Sequence, residues 1–332
     1  MKAAIVHAPG QLSVDDVPDP APLDHQAVVA VDMCGVCGTD LHVLDGDYGV
    51  VTYPVIPGHE FGGTVVAIGA AVRDLRVGQR VAVDPMDYCD ACANCRAGWT
   101  NLCLHGGGLG TTAPGAFAEY VAVTGARCEP LPDGLSPDLA SLVEPLSCVL
   151  HAVDRIGPVL GDDVLVVGAG PIGLMLCALL AWAGGRVDVV DRNAARLPAA
   201  VAFGASRTAT TISELDRDGW SVAVDATGNP AAIAEALAHV RKTGRLGLLG
   251  IGGSDATFPF APFDVVAREL TIVGANSVRH SFGRAARLLA GERMPAELLH
   301  AEPVALTDAA VAFERARAAV GLKTRIAVGG RR

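Results

Sequence analysis

Val164-Leu165-Val166-Val167-Gly168-Ala169-Gly170-Pro171-Ile172-Gly173 is the stretch whose reading decides the fold. Four apolar residues run into G-x-G-x-x-G, and an apolar segment continues from Ile172 to Ala183. The apolar stretch Val164–Gly185 has the length of a membrane span, but Gly168, Gly170, Pro171 and Gly173 near its start make it strand, turn and buried helix instead. Gly168 permits the tight turn, Gly170 lets backbone approach a pyrophosphate, and Gly173 lets helix and strand pack closely. The helix N-terminus then offers free N–H donors to the anion, with Pro171 and Ile172 in its first turn. Val187–Val190 follows and ends in Asp191, eighteen residues after Gly173. A carboxylate there accepts the hydroxyls of an adenosine ribose and repels a 2′-phosphate, so NAD is expected over NADP. Arg192 and Arg196 soften that preference, since either can meet a phosphate. The competing readings are a purely structural glycine turn and, for Asp191, a helix cap.

Outward from this turn the rhythm is strand and helix in alternation. Val222–Val224, Leu246–Leu249 and Leu270–Val273 read as strands, and Ala194–Phe203 and Ala231–Val240 as helices. That alternation predicts a doubly wound parallel sheet covered on both faces, over residues 152–288. Residues 1–151 instead carry short runs such as Ala27–Asp32, Gly63–Ile68 and Gln79–Val83 between turn residues, which predicts a mostly β domain. Residues 289–332 hold a helix around Ala309–Ala318 and a last run Arg325–Val328, read as a return to the first domain. The fold class is thus α/β, a Rossmann-type doubly wound cofactor domain joined to a mostly β domain.

The chain has 332 residues, of which 51% are hydrophobic and 19% charged, which excludes a disordered chain. Its net charge of −10 and the lack of a basic run before Arg331-Arg332 argue against nucleic acid and anionic membranes as partners. No targeting signal is visible at the start, so a cytoplasmic protein is expected. Four of the nine cysteines, Cys89, Cys92, Cys95 and Cys103, fall within fifteen residues. Two successive x-x gaps let a curled loop, about residues 86–105, offer three thiolates to one ion. The fourth closes a tetrahedron, so the expected zinc is structural, with an iron–sulfur or redox-labile cluster as alternatives.

Cys37-Gly38-Thr39-Asp40-Leu41-His42, Gly58-His59-Glu60 and Glu144-Pro145-Leu146 supply a thiolate, imidazoles and carboxylates. A mixed set with an open position suits a catalytic zinc that polarises an alcohol oxygen. Together with the four-cysteine lobe and the glycine turn, these motifs make the chain resemble, over essentially its whole length, the zinc-dependent medium-chain alcohol dehydrogenases. Glu144-Pro145-Leu146 is similar to the sorbitol and polyol branch of that family. The resemblance implies a GroES-like catalytic domain, two zinc ions per chain, and Cys37 and His59 as ligands of the catalytic one. Glu60 and Glu144 are implied as its carboxylate partners, directly or through water. It also implies that Thr39 accepts the substrate proton, that His42 passes it on through the cofactor ribose, and that Asp40 orients the site. Thr227, Gly228, Gly250 and Asn276 would line the cofactor, and Lys323 is a candidate partner for a zinc-site carboxylate. A homodimer or homotetramer through Leu270–Val273 is implied as well.

The expected reaction is reversible oxidation of a secondary alcohol of a polyol-like substrate to a ketone. The full set of four lobe thiols departs from several sorbitol dehydrogenases, which leaves cyclitols, aminocyclitols, threonine and simple secondary alcohols open. Arg279 is the candidate for gripping a polyol hydroxyl. A non-catalytic NAD-binding sensor is the reading from another class; the intact Cys37, Thr39, His42, His59 and Glu144 argue against it. Cys34, Cys128, Cys148 and Cys177 are read as core thiols.

Overall fold

The computed structural model describes residues 1–253, 255–291 and 293–329, so the Arg331-Arg332 pair lies outside the described residues. The chain divides into two units, Met1–Ser147 with Val278–Arg332, and Cys148–Ser277. Among the described residues no helix is long and apolar enough to cross a membrane.

In the second unit the deciding stretch forms the strand Asp163–Val167, buried along its whole length, as a strand covered on both faces must be. Gly170 caps the helix Pro171–Trp182, whose proline sits in the first turn where no N–H partner is lost. The six-stranded sheet has the order Arg207–Ala209, Arg186–Val190, Asp163–Val167, Trp220–Asp225, Val240–Leu248, Thr271–Gly274. All neighbours are parallel. The order reverses between the third and fourth strands, the switch point beside which such sheets bind nucleotides. Arg207–Ala209 is a strand that its sequence, Arg-Thr-Ala, does not announce. Beneath the sheet, buried Asp163 and Asp188 gather Arg186, Arg207, Arg217 and Arg241, and Trp220 Nε1 donates to Asp188 at 2.9 Å.

The first unit is built on a mostly antiparallel sheet in which Gln26–Gly35 is central. Its neighbours include Glu60–Ile68, Tyr120–Thr124 and Arg325–Ala327. Arg80–Val83 and Cys128–Pro130 extend the sheet beyond Glu60–Ile68. Runs of buried residues along Gln26–Gly35 and Glu60–Ile68 feed a core that contains Val29, Phe61, Phe117 and Phe313. The register sets a glycine between two charged residues: Gly35 stands opposite Glu60 on one side and opposite Arg325 on the other.

Candidate active site and metal centres

Cys37 is the N-cap of the helix Gly38–Asp45, directly after the central strand. A capping box fixes it: Asp40 Oδ2 accepts from Cys37 N at 2.8 Å, and the Cys37 side chain accepts from the Asp40 N–H. Asp40 is fully buried, and its Oδ1 also accepts from Gly58 N at 3.0 Å and lies 3.5 Å from His59 Nδ1. One carboxylate therefore ties the helix start to the Gly58-His59-Glu60 segment. With His59 Nδ1 turned to Asp40, Nε2 is the nitrogen available to a metal. Donor atoms of Cys37, His59 and Glu60 lie within 4.8 Å of one another. Burial works against a charge on the His59 ring, yet the Asp40 and Cys37 charges outweigh it and raise its proton affinity well above the ordinary imidazole value. A thiolate, an imidazole and a carboxylate in a pocket that favours positive charge fit a zinc ion with an open position.

Glu144 stands outside that three-residue group, buried in the first turn of the helix Val143–Ile156. Lys323 is also buried, and its ammonium meets Glu60 Oε2. Burial alone would favour the neutral amine; the Glu60, Cys37 and Glu144 charges outweigh it and push the Lys323 pKa up to about 12. Thr39 and His42 are three apart on the helix that Cys37 caps, hence on one face. His42 Nδ1 lies 2.8 Å from Asp47 Oδ1, and that carboxylate is half-exposed.

The four lobe cysteines form a second group within 4.8 Å. A tetrahedron with bonds of about 2.3 Å has edges of about 3.8 Å. The Cys92–Cys103 and Cys89–Cys103 sulfurs stand 4.0 and 3.6 Å apart. Backbone N–H groups point at these sulfurs, from Cys89 and His105 to Cys103 and from Cys92 to Cys89. N–H donors of Leu104 and Cys95 bring the Cys92 thiol down to about 6. Such a cage fits a zinc ion with no position left over. Arg279, read from sequence as a substrate contact, is engaged here: it donates to Gly98 O at 2.7 Å, and its guanidinium lies 3.8 Å over the Trp99 ring.

In the second unit Gly168 has φ +103, the left-handed region, and a Cβ on Gly173 would run into Gly168 O. Asp191 accepts from Ala169 N at 2.7 Å and from Asn193 N at 2.8 Å, one bond per oxygen. Each oxygen keeps lone-pair capacity for a ribose hydroxyl. Arg196 Nη1 is 3.8 Å from Asp191, whereas Arg192 is exposed. Asp225, fully buried, organises the neighbouring turn. It accepts from Thr227 N and Oγ1 and from Gly228 N, while its own carbonyl accepts from Gly250 N. Asn276 is exposed after the strand Thr271–Gly274. Cys34, Cys128 and Cys177 are buried in the two cores, and Cys148 is half-buried.

A dinucleotide-type parallel sheet and a zinc-type donor set in one chain describe a metal-dependent dehydrogenase. The alcohol dehydrogenase GroES-like domain family matches residues 23–133, and the zinc-binding dehydrogenase family matches residues 171–291. D-arabinitol dehydrogenase 1 of Uromyces fabae is 35% identical over 281 residues, 80% of this chain and 80% of that protein. Sorbitol dehydrogenase of Bacillus subtilis strain 168 is 33% identical over 332 residues, covering 95% and 93%. A zinc-binding dehydrogenase of Sinorhizobium meliloti 1021, solved bound to NADP, superposes with a TM-score of 0.94 at 32% identity, covering 98% and 99%. The chain belongs to the zinc-binding, GroES-like alcohol dehydrogenase family, and it is an oxidoreductase.

Proposed function

We propose that this protein is a zinc- and NAD-dependent dehydrogenase that oxidises a secondary alcohol of a polyol-like substrate to a ketone. The observation that carries the reading is the Cys37–His59–Glu60 group, held by Asp40, in a family whose relatives include arabinitol and sorbitol dehydrogenases. Cys37 and His59 would hold the catalytic zinc, with Glu60 and Glu144 as its carboxylate partners. The zinc, when bound, supplies a Lewis acid that lowers the pKa of an alcohol hydroxyl, and the nicotinamide supplies a hydride acceptor. Thr39 takes the hydroxyl proton through its side-chain oxygen. His42, on the same helix face, would relay that proton toward solvent, and Asp47 at its Nδ1 orients the ring. Cys89, Cys92, Cys95 and Cys103 hold a structural zinc.

The cofactor is held by the Gly168–Gly173 turn, with Pro171 and Ile172 at the helix start, by Asp191 at the ribose, and by Thr227, Gly228, Gly250 and Asn276 toward the nicotinamide. The Asp191 carboxylate repels a 2′-phosphate more than Arg192 and Arg196 attract one, so NAD is preferred although the S. meliloti relative binds NADP. A homodimer or homotetramer would form through the edge strand Thr271–Gly274; Phe263 and Val266, on the preceding helix Pro262–Ala267, are 77% and 75% exposed. Cytoplasm is the proposed compartment, which suits nine cysteines without a disulfide.

The experiment is nicotinamide absorbance with zinc-loaded protein, NAD, and a panel of polyols, cyclitols, threonine and secondary alcohols. Turnover is expected on a polyol. Activity on threonine or simple alcohols alone would replace the substrate class. Silence across the panel, with zinc content and NAD binding verified, would favour the sensor. Asp191→Ala should lower kcat/KM with NAD on the order of 10- to 100-fold, as the loss of charged hydrogen bonds of about 1.5–3 kcal/mol gives. The loss with NADP should be far smaller, and equal losses would remove Asp191 from the ribose.

A further inference from the structure

The sheet brings three strand segments together at Gly35. Glu60 pairs with it from one neighbouring strand and Arg325 from the other. Lys323, two residues before Arg325, is fixed by its own backbone: its N–H donates to Leu299 O, and its carbonyl accepts from Ala301 N. From there its side chain reaches over Gly35 to Glu60 Oε2. Only a glycine leaves room. A Cβ on Gly35 would run into Glu60 Oε2 and stand 2.9 Å from Lys323 Cε. The pair is enclosed, with Lys323 at 6% and Glu60 at 1% exposure, so water does not screen it.

Resting on the zinc reading of this site, we propose that Lys323 is a positioning residue of the catalytic site: by holding Glu60 through Oε2, it limits that carboxylate to at most one oxygen toward the metal and so keeps a position open for substrate. Charge adds a second effect. Cys37 and Glu60 are the anionic donors of the group, Asp40 adds a third negative charge behind it, and the ammonium offsets part of that excess. Without Lys323, Glu60 is free to close on the metal with both oxygens. The metal is then held more tightly and serves less well.

The test compares zinc-loaded wild type with Lys323→Met, Lys323→Arg, Glu60→Gln and the double variant Lys323→Met/Glu60→Gln. Zinc per chain, the rate of zinc loss to dipicolinate, kcat and KM are measured, with Cys37→Ser marking which zinc belongs to this site. Lys323→Met is expected to slow loss of that zinc and to lower kcat by about 10- to 100-fold, the range for groups that orient metal ligands. KM should move less than kcat, and Lys323→Arg should recover most of the rate. In the Glu60→Gln background, Lys323→Met should change neither quantity further, because its effect passes through that carboxylate. Equal loss of kcat in both backgrounds, or zinc release that is unchanged or faster, would overturn the proposal. Should Lys323→Met not fold, Gly35→Ala separates the two side chains with both charges kept, and the same two outcomes are read from it. Wild type that carries one zinc, as Cys37→Ser does, overturns the catalytic-zinc reading itself. Two zincs, normal wild-type turnover and an unaffected Lys323→Met overturn only the role of Lys323.

Discussion

The two candidate zinc centres are built in opposite ways. The four-cysteine lobe draws every ligand from fifteen consecutive residues, and its sulfurs are steadied by backbone N–H groups of the same loop. The Cys37 group draws on a strand end, a helix cap, a second strand and a tail segment, and a buried side chain, Asp40, steadies it. A local cage reports only on its own loop. A distributed site reports on whether the whole sheet has formed, and that dependence makes it the more sensitive to change.

Three substitutions probe that contrast. Cys37→Ser should have the largest effect, a loss of turnover on the order of 100-fold or more, since a Lewis acid contributes several kcal/mol and each ~1.4 kcal/mol is tenfold. NAD binding, followed by fluorescence titration, should persist; near-normal turnover would remove the metal from the chemistry. Asp40→Ala comes next, at about 10- to 100-fold in zinc affinity or kcat, because three segments lose their common acceptor. An effect no larger than that of a surface substitution would mean the site is as self-contained as the lobe. Cys95→Ser should change turnover per folded chain least, by about threefold or less, while thermal denaturation moves down by ~5–10 °C, the shift a loss of about 2–3 kcal/mol gives in a unit of this size. Lost turnover with an unchanged Tm would break the comparison, because the lobe would then serve catalysis rather than stability.

The same contrast explains what could be read from sequence. The lobe and the glycine turn were legible because their constraints are local: thiolates at fixed gaps, and glycines where backbones touch. The strand Asp163–Val167 and the helix after it needed only an apolar run and a proline. Arg207–Ala209 was not legible, since a three-residue strand of Arg, Thr and Ala has no periodicity to detect, and its one neighbour, Arg186–Val190, holds it in the sheet. For the distributed site, residue types gave a donor set, but only resemblance linked Cys37 to His59 and Glu144. The resemblance pointed to Asp40 as orienting the site and to Lys323 as partner of a carboxylate, but the three bonds of Asp40 and the choice of Glu60 appear only in the folded chain. Arg279 was a candidate substrate contact from its place in the chain alone, and its stacking on Trp99 had no signal in the sequence. Asp225 likewise gave no sign in sequence that its carboxylate would knit Thr227, Gly228 and Gly250 into one turn.

The discontinuity of the first unit sets a timetable for the growing polypeptide. Glu60 emerges early, while Lys323 must wait for the whole of Cys148–Ser277 to be made. At ~5–20 residues per second the interval is on the order of 10–50 s. Throughout that time Gln26–Gly35 lacks its partner Arg325–Ala327, and Glu60 has no ammonium beside it. A chain stalled before Lys323 therefore lacks both the strand that closes this side of the sheet and the ammonium that meets Glu60. Translation of the tail is thus the event that completes the distributed site, long after the four-cysteine lobe has all its ligands.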